Sequence, residues 1–396
     1  MQVSPELVYV GVLFALFVVP RALQRFGVPA AITSLVLGAV AGVGFGLFQH
    51  DTTLHLLSAF GIVALFLFAG LEVDTRDLRD NAPVLAQHLI VRGLLLFALA
   101  VIAGGVLGLD PRPATLLALA LLTPSTGFIL DSIEGLGLDP VEKRWIKAKA
   151  IATELLALLV MFATLQSTTV ERMALSLAAL TAMIVLLPLV FRAFASLVVP
   201  FAPRSEFAFL LMIAVACAFV TRELGVYYLV GAFIVGMTAQ RFRQRLPAMA
   251  SEEMVHAVEM FASFFVPFYF FNAGVQLRRE DLNLQALGFG LAFLAIMVPL
   301  RVGTVVLHRR LALQEGRHVG VRIAIAMLPT LVFGLVIAEI LRDRFAVPPA
   351  IFGGLVLYTL ATTILPAVAI RRRLPGFVEP RAPQLEPGAL EPRPEA

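Results

Sequence analysis

Leu116-Leu-Ala-Leu-Ala-Leu-Leu-Thr-Pro-Ser-Thr-Gly-Phe-Ile-Leu130 is an apolar run interrupted in its middle by Thr123-Pro124-Ser125-Thr126-Gly127. Proline lacks a backbone N–H and its ring clashes with the preceding turn, so a helix through this run must break there. The device recurs. Leu328-Pro329-Thr330, with Gly334 beyond, interrupts a second apolar run over 318–341, at an offset of 205 between the two prolines. Breaks at matching places in two halves of a membrane protein point to a binding site near the bilayer midplane. Pro124, Gly127, Pro329 and Thr330 are therefore the expected broken-helix positions.

The segments around the breaks repeat as well. Gly27-Val28-Pro-Ala-Ala-Ile-Thr-Ser-Leu-Val-Leu-Gly38 aligns without gaps on Gly225-Val226-Tyr-Tyr-Leu-Val-Gly-Ala-Phe-Ile-Val-Gly236. Ala69-Gly70 followed by Asp77-Leu78 matches Ala273-Gly274 followed by Asp281-Leu282, and the two offsets are 198 and 204. The halves thus stay nearly in register.

Composition sets the class. Of 396 residues, 59% are hydrophobic and 15% charged, and mean hydropathy is +0.90. That is too little polar surface to coat a soluble body of this size. Thirteen apolar segments lie near 5–20, 28–48, 54–71, 84–108, 114–131, 146–166, 172–191, 206–221, 226–240, 258–277, 284–307, 318–341 and 349–370. Continuous apolar stretches predict helices, whereas barrel strands would alternate at every second residue. The expected fold class is an all-α polytopic membrane protein of about thirteen spans, with room for no large soluble domain. The first segment lacks a basic leader and an A-x-A-like site, so it reads as a span and not as a cleaved signal. One cysteine, Cys217, leaves no internal disulfide framework.

Basic residues in short loops mark the cytoplasmic side. With the N-terminus outside, the inner loops hold Arg21, Arg25, Arg76, Arg79, Lys143, Arg144, Lys147, Lys149, Arg192, Arg204, Arg241, Arg243, Arg245, Arg309, Arg310 and Arg317, and Arg371–Arg373 follow the last span. The outer loops hold seven arginines, from Arg112 to Arg344. The contrast predicts an outside N-terminus and a cytoplasmic C-terminus. The two copies of the repeat then enter the membrane from opposite sides, which is the inverted repeat of secondary transporters. Repeat one covers about 5–166, a linker helix about 172–191 and repeat two about 206–370. Residues 374–396 hold six prolines and read as a disordered tail.

Two charges sit deep in spans. Glu154 is seven residues beyond Lys147, and Arg301 is seven residues before His308. At 1.5 Å per residue each lies about 10 Å from the cytoplasmic interface, so they are expected to meet at one level. Glu154 reads as a carboxylate that alternately holds a proton and a cation, with Arg301 balancing its charge. Arg92 reads as a snorkelling side chain near an inner span end. Asp131 and Glu134 follow the first break and read as a cytoplasmic funnel for cations or a solvated helix end. No cofactor motif appears: neither a Walker A loop nor a G-x-S-x-G elbow is present.

These segments, together with Leu65-Phe-Leu-Phe-Ala-Gly-Leu-Glu-Val-Asp74, Ile151–Leu155 and Val266-Pro-Phe-Tyr-Phe-Phe-Asn-Ala-Gly274, resemble the monovalent cation:proton antiporter-2 family, the sodium/hydrogen exchanger-like transporters that include Kef-type systems. The resemblance implies a homodimer in a bacterial-type inner membrane and two broken helices that cross in a mobile core. It also implies exchange of Na⁺ or K⁺ for H⁺ by alternating access. Glu154 takes the place of the ion-binding aspartate, and Thr153 that of its neighbour, where many members carry a second polar or acidic residue. Ser125, Thr126 and Thr153 are the expected hydroxyl ligands beside Glu154. Thr153 cannot ionise, which predicts electroneutral exchange. The rival readings are a sodium-coupled organic-anion symporter and a non-transporting sensor descended from the exchangers.

Overall fold

The computed structural model describes residues 5–73, 78–79, 81–133, 137–167, 169–202, 205–225, 228–243, 252–312, 314 and 316–370. Every regular element among them is helical. In hydrocarbon each backbone N–H and C=O needs an internal partner, and a helix satisfies them within one segment. The helices are α1 (Pro5–Gln24), α2 (Ala30–Ala39, continued by a π turn over Val40–Gly44), α3 (Thr52–Leu71), α4 (Ala82–Leu107), α5 (Pro111–Leu122), α6 (Thr126–Ser132), α7 (Pro140–Gln166) and α8 (Val170–Leu197). They continue as α9 (Glu206–Glu223), α10 (Tyr228–Arg243), α11 (Glu252–Val275), α12 (Leu284–Ala312), α13 (Arg317–Ala326), α14 (Leu331–Phe345) and α15 (Pro349–Ala369).

These helices fall on the thirteen apolar segments. By length and hydropathy alone, nine helices among the described residues qualify as spans, or ten if the bent pair α13–α14 is one. Ala30–Gly44 and Leu229–Phe242 are shorter. Some helices outrun the apolar stretch that marks them. α7 begins six residues before its expected start, because Pro140 occupies its first turn and Asp139 and Glu142 form a capping box. The tail at 374–396 lies outside the described residues.

The duplicated glycines explain the packing. α2 packs on α11, and α3 packs on α10, so each copy of the repeat rests on the other. At the first crossing Gly38 lies against the Phe271 backbone, and Gly274 against Leu35 and Ala39. At the second, Gly70 lies against Phe233 and Gly236, and Gly236 against Leu67 and Gly70. The sequence duplicates are Gly38 with Gly236 and Gly70 with Gly274. In space each glycine meets the duplicate of its neighbour, as an inverted repeat about a two-fold axis requires. Without a hydrophobic force between helices in lipid, this backbone contact is a main source of adhesion.

The remaining helices gather around the breaks. α12 packs on α15, α14 on α15 and α5, and α4 on α5 and α7. α5 and α14 are buried except at one end of each, around Pro111 and Asp343–Arg344, while α1, α4, α8 and α12 expose Phe14, Phe97, Leu175 and Leu291. The apolar outer surface faces lipid and the broken helices occupy the centre.

A Cβ added at Gly38 would press on the Phe271 carbonyl group, and one at Gly236 would sit 2.8 Å from the Gly70 Cα. Gly38→Ala and Gly236→Ala are each expected to cost about 1–3 kcal/mol and to lower the melting temperature in detergent. Gly93→Ala, with nothing within 4 Å, is expected to leave it unchanged or raise it. Equal melting of all three would contradict the glycine-crossing account.

Candidate ion site at the helix crossing

The two breaks meet. Thr123, Pro124 and Ser125 separate α5 from α6, and residues 327–330 separate α13 from α14, which are bent by 47°. The Ser125 N–H donates to the Pro329 carbonyl at 2.8 Å, and the Val332 N–H donates to Ser125 Oγ at 3.2 Å. Groups that each proline frees in its own helix are thus satisfied by the other. Thr330 is tied beside them, with Oγ1 3.2 Å from Thr362 Oγ1 and its carbonyl accepting from Gly334 N at 2.7 Å. Gly127 sits in the first turn of α6, against Leu65. The expected ligand Ser125 is thus also a tie between the breaks, its Oγ accepting one hydrogen bond from the Val332 N–H.

Four half-helix ends lie at this crossing. The carbonyl ends of α5 and α13 carry partial negative charge, and the amide ends of α6 and α14 partial positive charge. The carbonyl ends are held by arginines. Arg301 of α12 is buried and donates to Met327 O at 2.7 Å, Leu328 O at 2.8 Å and the Tyr358 hydroxyl at 3.0 Å. Tyr358 in turn donates to Leu121 O at 2.8 Å, so one chain of bonds spans both carbonyl ends. Arg92 of α4 lies on the other side, with Nη1 3.5 Å from Leu122 O.

Two expectations change here. Arg301 makes no ion pair with Glu154; its two terminal nitrogens are taken up by the Met327 and Leu328 carbonyls and the Tyr358 hydroxyl. Arg92 does not snorkel. It is buried and is the counterpart of Arg301, each on the helix that precedes a broken one. Sequence carried a signal for this: both arginines lie about one helical hairpin before a proline break. Nothing in the sequence singled out Tyr358.

Glu154 is buried on α7, where α6 packs against it. The hydroxyl and the backbone N–H of Thr126, the first residue of α6, interact with its carboxylate. A carboxylate at a helix amide end is favoured by both the free N–H and the dipole. Yet neither Glu154 Oε2 nor Thr126 Oγ1 has a well-formed hydrogen bond. Both oxygens are buried without a hydrogen-bond partner, and a hard cation is suited by such oxygen donors. Thr153 points elsewhere. Its hydroxyl donates to Lys149 O at 2.7 Å and lies 3.1 Å from His88 Nε2. The crossing thus brings Thr126 to Glu154, and leaves Thr153 and Arg301 with other partners. The side chain of Asp131, and Glu134 entirely, lie outside the described residues.

Tyr358→Phe removes the hydroxyl that joins Arg301 to the Leu121 carbonyl. It leaves a buried acceptor unsatisfied, so a loss of about 1–3 kcal/mol is expected. Detergent melting of the purified variant measures it, and a melting temperature equal to the parent's would show that the bridge carries no load.

Comparison with known proteins agrees with this geometry. The sequence matches the family described as "Sodium/hydrogen exchanger, transmembrane" over residues 12–372. A probable Na⁺/H⁺ antiporter 3 of Methanocaldococcus jannaschii is 36% identical over 75 residues, a match that spans only 19% of each chain. The Na⁺/H⁺-K⁺ antiporter GerN of Bacillus cereus is 24% identical over 292 residues, covering 69% of this chain and 72% of GerN. The solved structure of the sodium proton antiporter MjNhaP1 from M. jannaschii at pH 8 shares the fold, with a TM-score of 0.68 at 14% identity over 92% of this chain and 95% of that one. With the inverted repeat, the crossed broken helices and a match that covers most of its length, the chain belongs to the sodium/hydrogen exchanger family of membrane transporters.

Proposed function

We propose that this exchanger binds Na⁺ or K⁺ at Glu154 and releases it by protonating the same carboxylate. One observation carries the reading. Glu154 Oε2 and Thr126 Oγ1 are buried together at the crossing, and neither completes a hydrogen bond. A cation placed between them gains a carboxylate and a hydroxyl, with carbonyls of the break as further oxygen donors. A proton on Glu154 removes the charge that holds the cation, so the two ligands compete.

Neighbouring groups limit the cycle to one charge. Thr153 cannot ionise, and a guanidinium such as Arg301 stays protonated in proteins. Arg301 and Arg92 remain with the carbonyl ends in both halves of the cycle and keep the crossing neutral as the cation comes and goes. One cation therefore exchanges for one proton. The name of GerN includes both Na⁺ and K⁺, and that of MjNhaP1 sodium, which keeps both ions in the reading. An organic-anion symporter or a silent sensor has no support from the family match.

The same proposal extends to the assembly. The chain crosses a bacterial-type inner membrane thirteen times, with α2 and α10 as short crossings and the pairs α5–α6 and α13–α14 as broken ones. Its N-terminus is outside, and it works as a homodimer. Repeats at about 5–166 and 206–370 flank the linker helix. Helices α4–α7 and α12–α15 form the body that carries Glu154, and it moves against a scaffold held by the glycine crossings of α2, α3, α10 and α11.

The test is proton flux in proteoliposomes after a pulse of Na⁺, K⁺ or Li⁺. The parent protein is expected to move protons in response to Na⁺ or K⁺. Glu154→Gln, which keeps size and polarity but cannot ionise, is expected to move none while eluting as the parent does. Cation-driven flux through Glu154→Gln would remove that residue from the site.

A further inference from the structure

Around Thr153 lies a buried polar chain that the exchange cycle does not use. Thr153 has one hydroxyl proton. It lies 2.7 Å from the Lys149 carbonyl, which can only accept, so the proton is committed there. His88 Nε2, 3.1 Å from Thr153 Oγ1, must then be the donor. The bond has a fixed direction, from His88 of α4 to Thr153 of α7. His88 is itself held. Its ring stands 5.8 Å from that of His308 on α12, inclined at 53°. His308 Nδ1 lies 3.2 Å from Lys149 Nζ, which donates to it.

The apolar contact between α4 and α7 is smooth. Leu85 meets Ala148 and Ala152, with Leu89 beside them. The alanines let the two helices approach closely, and no polar group of this patch marks one register over another. A single buried polar contact fixes register where apolar packing does not. Glu154 follows Thr153 directly on α7. The bond that sets the rotation of Thr153 therefore sets where the Glu154 carboxylate falls relative to Thr126.

We propose that His88 is a positioning residue of the ion site: by donating to Thr153 it fixes the register of α7, so that Glu154 meets Thr126. The inference rests on Glu154 being the cation-binding carboxylate.

The test is a double-mutant cycle read as the KM for Na⁺ or K⁺ in proteoliposomes. His88→Phe keeps ring volume and loses the donor. Thr153→Val keeps shape and loses the acceptor. Each is expected to raise KM about tenfold, the worth of one buried hydrogen bond, with the maximal rate of His88→Phe within about twofold of the parent's. The double variant is expected to show about tenfold as well, because both changes remove the same bond. His88→Gln, which retains an N–H donor, is expected to restore most of the affinity, which a purely steric role for His88 would not allow. A parental KM in either single variant, or about a hundredfold rise in the double variant, would overturn the proposal. If His88→Phe fails to fold, Thr153→Val and His88→Gln still decide it: parental KM in Thr153→Val, or a His88→Gln KM as high as that of Thr153→Val, overturns it. Flux retained by Glu154→Gln would instead refute the site on which the inference rests.

Discussion

Two helices that stop and restart inside the protein leave four helix ends, two of carbonyls and two of amides, without their usual backbone partners in a buried region. Everything else at the centre of this protein follows from how those ends are paired. Each extended break answers the other through Ser125, Pro329 and Val332. Arg301, Tyr358 and Arg92 take the carbonyl ends. One amide end, that of α6, is turned toward Glu154. The site is what remains when the requirements of the crossing have been met: one carboxylate and one hydroxyl whose bonding is incomplete.

That order of events explains why the arginine and the carboxylate are kept apart. A guanidinium paired directly with Glu154 would compete with the cation for the same oxygens and hold the carboxylate ionised. Committed to carbonyls, it neutralises helix ends in a way that does not change during transport. In the proposed cycle the carboxylate then has only two ligands to choose between, H⁺ and a metal cation. The reciprocal glycine crossings of α2 with α11 and α3 with α10 supply the opposite quality, a stiff frame of backbone contacts against which a moving body can work.

Much of this was legible in the sequence, because it is written along the helix axis. Proline breaks, paired glycines and the depth of Glu154 are one-dimensional features, and an offset near 200 residues repeats them. The errors lie around the axis. Counting residues from the span ends predicts one depth for Glu154 and Arg301, but depth says nothing of rotation, and each step along a helix turns the side chain by about 100°. Thr153 and Glu154 are neighbours in sequence and face different helices, α4 for the first and α6 for the second. Arg92 was placed near the membrane surface by its position in α4, whereas the unsatisfied Leu122 carbonyl draws it inward. Such partners are created by the crossing itself, and a run of apolar letters does not encode them.

The central claim is that a single carboxylate carries both ions, and voltage tests it most directly. A charge moved through the membrane potential gains or loses about 2.3 kcal/mol per 100 mV, whereas a one-for-one exchange of equal charges has no such dependence. In proteoliposomes clamped at several potentials, the cation and proton gradients at which net flux vanishes can be located for each. The account predicts one null point, the same at every potential. A null point that shifts with voltage would mean that a second charge crosses with each turnover, and the one-carboxylate mechanism at Glu154 would be wrong.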